Sequence, residues 1–379
     1  MKIAINARFL QAGKLEGLGW YTFELCKRWV ETHPQDEFVL IYDRPQDHFL
    51  ISAPNVVSRV IGPKARHFFS FWYWFDVQVP KILQQHQVDV FFSPDNFLSL
   101  TTPVPSVLTT HDIAHFHFPA QVALVHRPYY WWFVPKFLRK AKKILALTEF
   151  GKMDLIQHYQ VPPEKIVVVP NGTREIFQPL PLAVQEQVKT QFSQGYDYFF
   201  FLGAIHPRKN LIGLIRAYEK FRVKTSAPVK LLIAGKLAWQ VAEINQIHAQ
   251  SPYKDDIVFL GYVAEEVSAQ LMASALALCY LSFFEGFGLP VLEALCTDTP
   301  VITSNTSSLP EVAGEAALLV DPHDTEAIAL AMQRIWAEPA LRIELIEKGR
   351  QQRQHFSWDE AAAKIYVVLE SVANKNRIP

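Results

Sequence analysis

Residues 275–295 read ALALCYLSFFEGFGLPVLEAL. The opening run, ALALCYLS (275–282), has the length and apolar character of a strand buried on both faces. Gly286, Phe287 and Gly288 then form a turn. Leu289 and Pro290 start a helix, with proline where its missing N–H costs no hydrogen bond. A strand, a glycine turn and a helix in that order is the repeating unit of a parallel α/β sheet. Two carboxylates interrupt this apolar setting, Glu285 and Glu293, eight positions apart. A buried carboxylate without a partner is strongly destabilising, so a purely structural segment has no reason to hold two. Glu293 on its own reads equally as a favourable charge near a helix start. Glu285, ahead of two glycines, does not.

The same alternation runs outward in both directions. Strands are predicted at 2–6, 37–42, 89–94, 106–112, 143–148 and 165–172, with helical patterns such as GWYTFELCKRWVET (19–32) between them. After the irregular GTREIFQPLPL (172–182), strands recur at 196–205, 229–236, 256–263, 275–282, 300–305 and 316–322. The fold class is therefore α/β, with two doubly wound Rossmann-like domains. Domain one covers 1–176 and a linker 177–195. Domain two covers 196–356, and a terminal helix at 357–379, opened by a Ser N-cap, packs back toward domain one. Two such domains facing each other are expected to align the carboxyl ends of both sheets along one cleft.

The chain has 379 residues, half of them hydrophobic, with 37 Lys plus Arg against 37 Asp plus Glu. Such balance gives no global field for nucleic acid, so anion binding must be local. Cys26, Cys279 and Cys296 form no C-x-x-C pair and read as buried thiols of a reducing compartment. MKIAINARFL holds no long apolar h-region, so no signal peptide is expected, and no run approaches the length of a membrane span. The expected location is cytoplasmic, or peripheral at the inner face of the membrane.

Chemistry in such a fold sits just after the strands. LEGLGWYT (15–22) carries Gly17 and Gly19 but no third glycine, so it fails as a dinucleotide fingerprint. It reads either as a tight loop before a helix or as backbone that lets a ligand reach the helix start. FLGAIHPRKN (201–210) ends a strand in glycine and adds Arg208 and Lys209. Cations before a helix oppose its dipole, which favours an anionic partner such as a pyrophosphate over a solvated pair. The two glutamates cannot hold phosphate and should accept from neutral hydroxyls. His111 and Asp112 close the strand 106–112 and are as well placed for structure as for catalysis. His111, His115, His117 and His126 match no standard metal spacing, and no D-x-D occurs, so no metal is expected.

Taken together, GLGWYT (17–22), THD (110–112), LTEFGKMDL (147–155), VVPNG (168–172), GAIHPRKN (203–210), FLGYV (259–263) and EGFGLPVLEAL (285–295) resemble the GT-B-fold, family 4 retaining glycosyltransferases, over nearly the whole chain and in order. The resemblance implies roles. Glu285 would hold donor-sugar hydroxyls and Glu293 the ribose. Arg208 and Lys209, with the N–H groups of Phe287, Gly288 and Leu289, would take the diphosphate. Gly19 would line the phosphate and acceptor side, His111 would sit beside the reacting carbon, and backbone at Tyr262 and Val263 would meet the base. Ala204 stands where some relatives carry arginine, which throws more of the phosphate charge onto Arg208 and Lys209.

The chain looks most similar to mannosyltransferases of surface-polysaccharide synthesis. That implies a hexose, mannose favoured, moved from a nucleotide-diphosphate donor such as GDP-mannose to a glycan or lipid-linked acceptor. The donor is a co-substrate and no cofactor is implied. A UDP-glucose or other UDP-sugar transferase and a non-catalytic partner subunit of the same fold are the alternatives. Two aromatic runs remain, HFFSFWYWF (67–75) and HRPYYWWFVPKFLRKAKK (126–143). The second adds Lys136, Arg139, Lys140, Lys142 and Lys143. It reads either as a helix packing its rings on the first sheet, the simpler account, or as a peripheral contact with a membrane.

Overall fold

The computed structural model describes residues 1–65, 67–124, 127–225, 228–236 and 242–374. Among these, the first sheet comprises β1 (Lys2–Asn6), β2 (Glu37–Tyr42), β3 (Val56–Val60), β4 (Val90–Ser93), β5 (Ser106–Thr110), β6 (Lys143–Ala146) and β7 (Ile166–Val168), in the order β3-β2-β1-β4-β5-β6-β7. The second comprises β8 (Tyr198–Leu202), β9 (Lys230–Ala234), β10 (Ile257–Gly261), β11 (Ala277–Tyr280), β12 (Val301–Ser304) and β13 (Ala317–Val320), in the order β10-β9-β8-β11-β12-β13. Every pairing in both is parallel. Both orders reverse direction once, between β1 and β4 and between β8 and β11. Such switch points open a crevice at the strand carboxyl ends where ligands bind.

Each of the twelve predicted strands is present, β1 and β2 with the predicted bounds and the other ten shorter than the apolar runs suggest. β3 is the addition. Its sequence VVSRV puts Ser58 and Arg59 mid-strand, because an edge strand needs no buried second face.

The chain forms two compact units, Met1–Gly172 with the segment from Ser357 onward, and Thr173–Phe356. In the second, the helix Leu211–Thr225 turns Leu211, Leu214, Ile215, Tyr218 and Phe221 inward, at helical spacing, onto Phe199, Leu231 and Ile233. In the first, the terminal helix Trp358–Asn374 packs on Gly17–Thr32. Trp29 Nε1 donates to the Ala362 carbonyl at 2.8 Å, and Arg28 meets Asp359 at 2.5 Å. The Ser357 hydroxyl caps this helix by accepting from Glu360 N at 3.3 Å. Its expected last residues, 375–379, lie outside the described chain.

The expected linker at 177–195 is corrected. The chain passes into the second unit at Thr173, and Leu182–Ser193 is a helix with Val188 and Ser193 buried. Two prolines and a weak apolar stripe hid it. The three cysteines are free; Cys26 and Cys279 are buried, which pushes their thiols far up, while Cys296 is half-buried.

Candidate functional site

Beside the β8/β11 switch point of the second unit, the chain leaving β8 and the chain leaving β9 approach closely. A Cβ at Gly235 would lie 1.8 Å from the Gly203 carbonyl oxygen, so only glycine fits there. The chain then makes the short turn Pro207–Lys209. His206 caps it, its Nδ1 accepting from Arg208 N at 3.3 Å. An accepting Nδ1 must be unprotonated. Burial, with Arg208 and Lys209 beside it, lowers the His206 pKa to about 4 and keeps it so.

Lys209 points into the protein. Its Nζ donates to Glu285 Oε1 at 2.5 Å and to the Tyr280 hydroxyl at 2.5 Å, and that hydroxyl donates to the same Oε1 at 3.1 Å. Arg208 donates to the Phe284 carbonyl at 2.5 Å and stands 3.5 Å from Glu285 Oε2. Ser307 and Ser308 fix the backbone of Glu285 on both sides, at 3.1 and 2.9 Å. Burial alone would raise the Glu285 pKa, but Lys209 and then Arg208 outweigh it and hold the carboxyl at about 2. Three charged side chains thus form one buried group of net charge +1. The sequence reading had the cations face phosphate and the carboxylate face hydroxyls. Here Glu285 is also the partner of both cations, because a lysine this deeply buried needs a counter-charge.

Gly288, at φ +94°, turns the chain into the helix Leu289–Cys296, and its side offers no capping group to the first N–H groups. A Cβ there would lie 2.5 Å from Leu309 Cδ2. Phe287 is buried beside Phe356. Glu293 lies within this helix, 2% exposed, away from Lys209 and with a partner of its own. Arg174 donates to its Oε1 at 2.7 Å and to Glu265 at 2.6 Å. Burial raises the Glu293 pKa, Arg174 opposes, and Glu265 adds to the rise. Tyr262 is exposed with Lys236 Nζ 4.6 Å from its ring centroid, and Val263 is half-buried.

The first unit holds the other three predicted residues. Gly19 is buried in the first turn of Gly17–Thr32, where a Cβ would lie 2.7 Å from the Phe9 carbonyl oxygen. Two residues on, Tyr21 meets His111 edge to face with centroids 4.8 Å apart, and bonds Thr109 at 3.1 Å. His111 Nε2 lies 2.8 Å from the Pro94 carbonyl, so that nitrogen carries the proton. Burial lowers the His111 pKa, and the ring is neutral. Asp112 accepts from Ala114 N at 2.9 Å, a local turn contact.

Sequence reasoning missed several groups. At the β1/β4 switch point, Asp95 Oδ2 receives Asn6 Nδ2 and Arg8 Nε, both at 2.9 Å, and Arg8 lies against the rings of Phe9, Phe71, Phe75 and Phe97. A cavity of 560 Å³ is lined by Arg8, Lys14, Arg44 and Gly17–Gly19. Arg174 and Tyr280 were also missed, one inside an apparent linker and the other inside an apolar strand. Of the four histidines, His126 lies outside the described residues. His117 Nε2 approaches Asp154 at 2.8 Å, with His158 3.4 Å from the same carboxylate, so folding assembles a His/Asp group that linear spacing does not reveal. His117 pins its short helix to Glu149–Tyr159 there.

A family model described as Glycosyltransferase Family 4 matches residues 15–174, and one described as Glycosyl transferases group 1 matches residues 184–352. The chain is 27% identical over 365 residues to O-antigen chain mannosyltransferase B of Escherichia coli, covering 92% of this chain and 94% of that one. It is 28% identical over 287 residues to MMP alpha-(1->4)-mannosyltransferase of Mycolicibacterium hassiacum, covering 68% and 66%. Among solved structures, Anabaena HepE in complex with UDP and glucose superposes with a TM-score of 0.76 at 18% identity, over 98% of this chain and 100% of that one. WaaG, a glycosyltransferase involved in lipopolysaccharide biosynthesis, gives 0.74 at 14%, over 97% and 99%. These two likenesses establish the fold.

Proposed function

We propose, for a chain that belongs to the group 1 and family 4 glycosyltransferases and has the GT-B fold, that it moves a hexose from a nucleoside-diphosphate donor, with mannose as the sugar, during synthesis of a cell-surface polysaccharide. The observation that carries the chemistry is the buried group of Lys209, Arg208, Tyr280 and Glu285 beside the glycine turn 286–288. Mannose and polysaccharide synthesis rest on the relatives, whose names record mannosyl transfer and O-antigen chains.

In this reading the donor diphosphate binds against Lys209, Arg208 and the N–H groups of Phe287, Gly288 and Leu289. Preorganised positive charge there stabilises the phosphate as the C1–O bond breaks. Donor-sugar hydroxyls accept from and donate to the group around Glu285, and Glu293 takes the ribose. The acceptor hydroxyl oxygen bonds to C1 on the face the diphosphate leaves, and its proton passes to a leaving phosphate oxygen, so the anomeric configuration is retained. His111, neutral and with its Nε2–H engaged by Pro94, supplies no proton from that nitrogen. The site residues of the chain supply hydrogen bonds and charge; no metal is called for by this scheme.

Thermal shift tests the donor. GDP-mannose, UDP-glucose and ADP-glucose are compared at one common concentration, at which a donor present at about 100 times its dissociation constant adds about 2.7 kcal/mol. For a unit of this size that is a rise of roughly 5–10 °C. GDP-mannose should give it. A larger shift with UDP-glucose would move the donor to the alternative reading, and no shift with any of them removes the reading altogether. A lipid-linked acceptor would bring the protein to a membrane surface.

A further inference from the structure

The sequence left two aromatic runs open between core and surface, and the structure divides them. On Phe68–Tyr73, Phe71 is buried while Phe68, Phe69, Trp72 and Tyr73 are exposed, Phe69 to 78%. On Arg127–Lys140, Val134, Phe137 and Leu138 face the core while Trp131 and Trp132 are exposed to 58% and 69%. The two helices touch: Phe68 packs on Tyr129 and Phe133 with centroids 5.8 Å apart in both cases. Six exposed aromatic side chains of the first unit therefore gather on two neighbouring helices. A soluble surface has no reason to gather them, since isolated exposed apolar residues are ordinary and contiguous ones mark an interaction.

Charge names the partner. The outward face of Arg127–Lys140 is aromatic in its first half and cationic in its second, with Trp131 and Trp132 followed by exposed Lys136 and Arg139. Lys136 Nζ lies 5.8 Å from the Trp132 ring and 5.2 Å from that of Phe133. Lys142, also exposed, continues the cationic end. No acidic residue occurs between Asp112 and Glu149, or between Asp47 and Asp76. Rings with a flanking band of cations and no carboxylates match the headgroup layer of an anionic bilayer, where Trp and Tyr prefer to lie and Lys and Arg meet phosphate.

We propose that the face formed by Phe68–Tyr73 and Arg127–Lys140 is a docking surface for an anionic lipid bilayer. The proposal deepens the reading of a lipid-linked acceptor, but its test needs no sugar. The intact protein is sedimented with large vesicles of phosphatidylcholine alone and of phosphatidylcholine with about a third phosphatidylglycerol. It should bind the second, and high salt should release it. Trp132→Ser with Phe69→Ser, both on exposed side chains, should lower partitioning at least tenfold. Lys136→Gln, Arg139→Gln and Lys142→Gln together should lower it on the order of 100-fold, at about 1 kcal/mol per cation. All variants should keep the wild-type melting temperature and the shift given by GDP-mannose, which separates this idea from the donor assignment. Equal binding by the variants, or no binding to anionic vesicles, overturns it. So does a concentration-dependent dimer that the same substitutions abolish while vesicles remain unbound, since the face would then join two copies of the chain.

Discussion

Lys209→Met is the sharpest test of the buried charge group. The substitution keeps the length of the side chain and removes the cation, leaving Glu285 within the protein beside Arg208 alone, 3.5 Å away. Breaking a buried ion pair from one side costs about 3–5 kcal/mol. The pKa gives an independent figure. A carboxyl held at about 2 against an ordinary value of 4.5 contributes about 3 kcal/mol at neutral pH. The group is depressed, so this stabilisation is present in full above pH 4.5 and is lost as the pH falls toward 2. By about pH 3 roughly 2 kcal/mol of it should be gone. For a unit of about 180 residues the variant should melt roughly 6–20 °C lower at pH 7. In urea, the wild type should lose stability between pH 5 and 3 by more than the variant does, because Glu285 in the variant is no longer held ionised. Lys209→Met with Glu285→Gln should recover a large part of the loss. A single substitution that costs under about 1 kcal/mol, or acid limbs that coincide in the two proteins, would refute the coupling. This alters what a transfer assay on a Lys209 variant can mean: part of any lost turnover is lost fold, so the double variant is the proper comparison.

Gly288→Ala sets a Cβ against Leu309 at a backbone angle that only glycine adopts freely. It should cost about 1–3 kcal/mol by thermal melting and weaken the shift given by GDP-mannose. Arg174→Gln strips Glu293 of its cation. Because the Glu293 pKa is already raised, the sign is opposite to that of Glu285: the variant, weak at pH 7, should gain stability relative to wild type as the pH falls through the range where Glu293 protonates. Chemical denaturation across pH 4–7 reads this directly. For His111, whose pKa burial lowers, folding excludes the proton, so His111→Gln should remove part of the stability the first unit loses as the pH falls below about 6.5. Trp29→Phe deletes the bond to the Ala362 carbonyl and should cost about 1–3 kcal/mol in melts, by leaving a buried acceptor unpaired.

What the sequence reveals follows from what alternation and glycine encode. Strands buried on both faces appear as apolar runs, and β8 and β11 announce themselves for that reason. The turn glycines mark where backbone must approach backbone, as Gly235 does against Gly203. β3 escaped because an edge strand may carry Ser58 and Arg59, and the helix Leu182–Ser193 escaped because prolines and a thin apolar stripe imitate a linker. Charged types at strand ends were also legible: Arg208, Lys209 and Glu285 stand together in space, although Lys209 and Glu285 are 76 residues apart.

Pairing between such groups was not legible, because it depends on distances no linear pattern holds. Glu293 finds Arg174 across 119 positions, and Tyr280, read as one more ring in a strand, turns out to hold Lys209 and Glu285 in register. These partners change the chemistry assigned to the site. An isolated lysine facing phosphate would lose its solvation and shift its pKa; one tied to Glu285 and Tyr280 stays charged and fixed before any ligand arrives. With Arg208 included, the group carries one net positive charge, and in the proposed reading it would face a diphosphate bearing at least two negative ones. The remaining compensation would then come from neutral donors, such as the N–H groups of the helix start at Leu289, which is preceded by a glycine with no side chain to cap it. In the proposed reading, Glu285 would do two things at once: hold Lys209 charged in the protein without ligand, and limit the field of the cations so that the phosphate could leave once transfer is complete.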